Sequence, residues 1–113
     1  MQRDSAALLD IVVFGQRAVR YLAGMDAARF AQDDLVQDAV VRCLGVVGEA
    51  AGCITPETRA AHPEVAWAAI VGMRNRLVHD YGAPDVIEVF KTVSDDLPRL
   101  LARIEPLLPA GSR

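Results

Sequence analysis

Pro63-Glu64-Val65-Ala66-Trp67-Ala68-Ala69-Ile70-Val71-Gly72-Met73-Arg74-Asn75-Arg76-Leu77-Val78-His79-Asp80-Tyr81 begins as an apolar run and ends in a dense group of chemically active side chains. Trp67, Ile70 and Val71 recur at helical spacing, and Leu77 and Val78 continue the stripe. At about 100° per residue, Arg74 falls near the middle of that stripe. A guanidinium facing a core or an interface is costly unless an anion or hydrogen-bond acceptor meets it. Two readings follow: an internal ion pair with Glu49 or an aspartate of the second helix, or a site for an anionic ligand.

His79 and Tyr81 bear on that choice. Imidazole titrates near neutrality and is the natural proton carrier for an acid–base step, although a histidine at a helix end also serves as a C-terminal cap. Tyr81 can equally pack at the helix end with its hydroxyl bonded locally. An arginine, an imidazole and a phenol within eight residues favour a site over three separate structural roles.

The rest of the chain reads as helices. Asp4 to Ala23 forms the first, with Asp4 or Ser5 as N-cap, Leu8, Ile11, Val12, Val19 and Leu22 on one face, and Gly24 as its stop. Gly15 lies on that face, where a missing side chain admits a close neighbour. A brief piece starts at Asp26, and Asp33 or Asp34 caps a long helix to about Ile54 with Val36, Val40, Leu44, Val47 and Ala51 inward. Gly45, Gly48 and Gly52 recur along it at helical spacing, which suits tight packing. Thr55-Pro56 is a helix-start signal, and Pro63 starts the helix that carries the site, which leaves His62 as a surface or capping residue. Gly82-Ala83-Pro84 ends that helix. The last runs from about Pro84 to Leu107, with Val86, Phe90, Val93, Leu97, Leu100, Leu101, Ile104 and Leu108 inward and Pro98 kinking or dividing it near Ser94.

The expected fold is therefore all-α: an up-and-down bundle of four main helices plus short helical pieces, in one domain over residues 1–108, with 109–113 as a flexible tail. The 113 residues suffice for a single core. No apolar run reaches the roughly 18 residues of a membrane span and the start is not a signal peptide, so a cytoplasmic protein is expected. Cys43 and Cys53 read as reduced thiols, with Cys43 packed as a small apolar side chain. Two cysteines and two histidines, His62 and His79, lack the paired spacing of a zinc site, so neither metal nor cofactor is expected. The net charge of −3 argues against coating nucleic acid by bulk electrostatics, while leaving room for a local site. Eleven of the twelve basic residues are arginine, the better fork for phosphate, although coding bias accounts for this equally well.

Arg74-x4-His79-x-Tyr81, within Gly72 to Tyr81, resembles the signature of the HepT-like toxins of the HEPN superfamily. Arg3-Asp4 with Leu9-Asp10-Ile11, Gln37-Asp38-Ala39-Val40, Gly48-Glu49-Ala50 and the Pro63/Trp67/Gly72 spacing extend the resemblance over nearly the whole chain. It implies a metal-independent ribonuclease toxin of a type VII-like toxin–antitoxin system. Arg74 and His79 would be catalytic, and Asn75, four residues before His79, would support the imidazole or a phosphate oxygen. It further implies an MntA-like nucleotidyltransferase antitoxin that transfers AMP to Tyr81, and a homodimer whose paired motifs line one cleft. In an unbroken helix Arg74 and His79 point about 140° apart. Either the helix unwinds around Val78–Tyr81, or the second group comes from another copy. The alternative is a non-catalytic HEPN-type module that binds a nucleotidyltransferase or RNA. A plain helical dimerisation protein would explain the apolar stripes but not the arginine within one.

Overall fold

Asp26, Asp33, Thr55 and Asp85 each turn a side-chain oxygen onto the backbone N–H three residues further on, at Arg29, Val36, Thr58 and Glu88. Each satisfies one of the donors that a helix start leaves without an intrahelical acceptor. These caps set the start of four helices in a computed structural model that describes residues 2–77 and 84–109. The order is α1 (Gln2–Leu22), α2 (Ala27–Phe30), α3 (Asp34–Gly52), α4 (Pro56–Ala61), α5 (Trp67–Val71), α6 (Met73–Leu77), α7 (Val86–Lys91), a π-helical turn (Thr92–Asp96), α8 (Leu97–Ile104) and a closing 3₁₀ turn (Glu105–Leu107). The fold is all-α, as expected. α1 lies along α3, α8 packs on α1, and α5 and α6 pack on α3. The expected tail, apart from Pro109, lies outside the described residues.

Two groups of buried side chains fill the bundle. One joins Leu8, Ile11 and Val12 of α1 to Val47, Ala51, Trp67, Ile70 and Ile104. The other joins Ala18 and Leu22 to Phe30, Val40, Leu44, Met73, Leu77, Val89, Val93 and Leu97. Half-buried Phe14 and Leu100 pack against both groups. Gly15 is where α8 presses on α1: a β-carbon there would stand 2.7 Å from a Leu101 methyl. Gly24 takes a positive φ of 80°, where a β-carbon would be strained, and so ends α1 as anticipated.

Several sequence expectations require correction. Asp4 is not an N-cap, because α1 already begins at Gln2. It is a buried carboxylate that accepts from the Thr55 N–H at 3.1 Å, the Thr55 hydroxyl at 2.7 Å and the Thr58 hydroxyl. It thereby ties the first turn of α1 to the first turn of α4. The site helix starts at Trp67 rather than Pro63, after residues 63–66 make a non-helical link in which the Trp67 indole donates to the His62 carbonyl at 3.0 Å. His62 closes α4 and stands 3.3 Å from Glu64, the surface and capping role expected. The last helix starts at Val86, because Asp85 caps it.

Pro98 acts upstream of itself. Without an N–H it cannot continue the α-helical ladder to Ser94, and the preceding turn widens so that the Leu97 N–H bonds to the Thr92 carbonyl five residues back. α8 then resumes with Pro98 in its first turn, where no intrahelical donor is needed.

Gly48 governs how closely the site helices approach α3. A β-carbon there would stand 3.2 Å from the Ile70 carbonyl oxygen and 3.3 Å from that of Val71. These are backbone atoms that cannot swing aside as a flexible side chain could. Gly48→Ala gains up to about 1 kcal/mol of helix propensity, yet overpacking costs about 1–3 kcal/mol, so a net loss of stability is expected. Urea unfolding checks this: the midpoint should fall at unchanged slope, and a raised midpoint would show that α5 yields freely. Asp4→Ala leaves the Thr55 N–H and two hydroxyls to find other partners. It should lower the unfolding free energy by about 1–3 kcal/mol in the same experiment.

Candidate active site

Asp38, Val41, Arg42, Gly45, Gly48, Glu49 and Gly52 recur three and four residues apart and so share one face of α3. The glycines on that face present little side chain, and the ends of α5 and α6 lie beside them. Together they form a shallow open groove of about 840 Å³, bordered on the far side by Val71, Arg74 and Asn75.

Arg74 enters the groove because of a break in the helix. Gly72, with ψ near −3°, ends α5, and α6 starts afresh at Met73. The break resets the phase. Met73 and Leu77 become the buried positions, Val71 is left 40% exposed and Arg74 turns outward. The expected place of Arg74 in the middle of a buried stripe is therefore corrected, and so is the inward place of Val71. The arginine stem lies over Gly45, whose β-carbon would stand 3.7 Å from the Arg74 Cδ. Among the described residues Arg74 makes no ion pair, neither with Glu49 nor with an aspartate of α3. Its guanidinium faces solvent across the groove, available to an anion.

Asn75 is exposed beside Arg74 and borders the same groove, so two of the four motif residues come together. His79 and Tyr81 lie outside the described residues. The chain on either side of that segment is joined, since the Asp85 N–H donates to the Leu77 carbonyl at 2.7 Å. Arg76 leaves the opposite side of α6. Its guanidinium donates to the Ala69 carbonyl at 3.2 Å and borders a separate groove with Arg99 and Arg103.

Arg42 was not singled out in the sequence. Its guanidinium carbon lies 5.5 Å from the centroid of the Phe14 ring, and that of Arg17 lies 4.6 Å from the same centroid. Buried Cys43 is next to this group. Burial raises its thiol above the usual value, opposed by the positive charge of Arg17, Arg42 and Arg20. One signal for Arg42 was present in the sequence: it is four residues from Asp38 and three from Gly45, on the glycine face itself. Asp38 and Glu49 temper the charge of the groove without pairing with its arginines. No three His, Cys, Asp or Glu side chains among the described residues are grouped to hold a metal ion. Nor is any described helix long and apolar enough to cross a membrane.

Comparison with known proteins places the family. A family model described as ribonuclease HepT-like matches residues 14–107, which span the groove face of α3, all of α6 and the whole motif. A Methanocaldococcus jannaschii protein named a putative RNase is 32% identical over 105 residues, covering 92% of this chain and 96% of its own. A second from that organism, of the same description, is 30% identical over 95% of this chain and 93% of its own. A Thermococcus cleftensis protein named a probable ribonuclease HepT is 38% identical over 78 residues, covering 69% of this chain and 71% of its own. No solved structure gives a significant match. By the extent of the family match and of these relatives, the chain belongs to the HepT-like ribonuclease family.

Proposed function

We propose that this chain is a metal-independent endoribonuclease, the toxin of a type VII-like toxin–antitoxin pair, acting in the cytoplasm as a homodimer. The observation that carries the reading is the open guanidinium of Arg74 over Gly45, unpaired among the described residues, beside Asn75 and at the head of the Arg74-x4-His79-x-Tyr81 motif.

In the reaction the ribose 2′-hydroxyl attacks the adjacent phosphorus, the 5′-oxygen leaves, and a 2′,3′-cyclic phosphate forms. A proton must leave the attacking hydroxyl and another must reach the departing oxygen. His79 exchanges these protons. Arg74 meets the negative charge that grows on the phosphoryl oxygens, a role suited to a planar fork of donors. Asn75 contributes an amide that orients a phosphate oxygen or the imidazole. In the homodimer, two copies of the motif face one cleft, so each phosphate has two arginines and two imidazoles within its reach. The shallowness of the groove in one copy is consistent with a cleft completed by a second.

Regulation follows from the phenol. An MntA-like nucleotidyltransferase antitoxin transfers AMP from ATP to the Tyr81 oxygen, and pyrophosphate leaves. The new phosphodiester places negative charge two residues from His79, where it occupies the cleft and competes for its arginines.

Cleavage of RNA by the unmodified protein in the presence of a chelator should persist, and His79→Ala should lower its rate about 10²–10⁴-fold. Near-normal cleavage by that variant would remove His79 from the reaction. No cleavage by a dimeric, unmodified wild type across several RNA classes would favour the non-catalytic binding module. Tyr81→Phe should cleave nearly as well as wild type yet gain no AMP by intact-mass measurement after incubation with antitoxin and ATP. Loss of cleavage in that variant would instead place Tyr81 in the reaction itself.

A further inference from the structure

Phe14 carries a feature that the catalytic reading does not use. Two guanidiniums, from Arg17 of α1 and Arg42 of α3, share its ring at 4.6 and 5.5 Å. Each is held there by attraction to the ring face, yet their like charges oppose each other, and Arg20 adds a third positive charge near Cys43. Neither Arg17 nor Arg42 makes an ion pair with a carboxylate among the described residues. Arg42 also borders the groove that holds Arg74, so the cluster is continuous with the candidate active site. The result is a basic strip on a protein whose net charge is −3.

The second groove is a useful contrast. Arg76, Arg99 and Arg103 surround it, but their side chains donate to the carbonyls of Ala69, Asp95 and Glu64 at 3.2, 3.2 and 3.3 Å. Each of those arginines is anchored to the protein's own backbone by one N–H of its five. Among the described residues Arg17 and Arg42 meet only an aromatic ring, which leaves their N–H donors open to phosphate oxygens.

We propose that Arg17 and Arg42, held over Phe14, form a track for the sugar–phosphate backbone of single-stranded RNA running out of the cleft along α1 and α3. The track binds phosphates flanking the cleaved bond and takes no part in the chemistry. It reads charge rather than sequence, because guanidinium–phosphate contacts position a strand without distinguishing its bases. Substrates with several nucleotides on the track side are therefore held more firmly than dinucleotides.

This inference rests on the ribonuclease reading, and the probe separates the two. A fluorescent 2′-O-methyl RNA 12-mer has no attacking hydroxyl, so binding is read without cleavage, by anisotropy over a range of salt concentrations. Arg17→Gln with Arg42→Gln should weaken binding and reduce the slope of log affinity against log salt by about 0.7 per arginine removed, the value for single strands. Arg42→Lys keeps a charge and should preserve most of the slope. Arg99→Gln, on the other groove, should leave it unchanged. An unaltered slope in the folded double variant, an equal fall in Arg99→Gln, or failure of the wild type to bind the 12-mer would each overturn the track. Cleavage of unmethylated RNA by the same wild-type preparation reports separately on the ribonuclease reading.

Discussion

The carbonyl oxygens of Ile70 and Val71 rest where a side chain at residue 48 would have to be. That close approach fixes the depth to which α5 settles on α3, and with it the position of everything that follows Gly72. Arg74 lies over Gly45, one helical turn before Gly48 on the same face, so the glycines that admit the backbone also leave room for the arginine stem. The groove is therefore a by-product of helix packing. Small residues bring two helices together at one level and leave an opening at the next.

Charge follows the same geometry. The chain is acidic overall, yet Arg17, Arg42 and Arg74 lie on neighbouring parts of α1, α3 and α6. Carboxylates are present beside them, at Asp38 and Glu49, without forming ion pairs to these arginines. Bulk repulsion of polyanions and local attraction to one groove can coexist because salt screens exposed charges beyond about 8–10 Å. A ligand near the groove responds mainly to its nearest guanidiniums, whereas distant nucleic acid meets a weakly negative body.

Much of the fold was legible in the sequence where a local rule had no competitor. Thr55-Pro56 starts α4, Gly24 ends α1, and Gly15 admits a neighbour, because caps, positive φ and missing side chains act within a few residues. Asp4 misled because it looks like a cap locally, while its partners are about fifty residues away in a turn that only tertiary structure brings near. Arg74 was recognised as anomalous for the wrong geometric reason. Uniform helical phase puts it inward, but the break at Gly72 moves Met73 into that place. The motif was legible as chemistry, whereas Arg42 was marked only by its place on the glycine face of α3, a signal that gains meaning once the groove is known.

The π-helical turn before Pro98 has a consequence for how the chain could have changed over time. Val89, Val93, Leu97 and Leu101 are all buried at four-residue steps, a spacing that drifts about 40° per step around a regular α-helix. The wide turn takes up an extra residue and restores their alignment. A chain with one residue fewer there would close the wide turn to an ordinary α-turn, without turning α8 on its axis and exposing Leu101 and Ile104. The run from α7 through α8 holds its length and its register as separate quantities, and related chains can differ in the first while keeping the second.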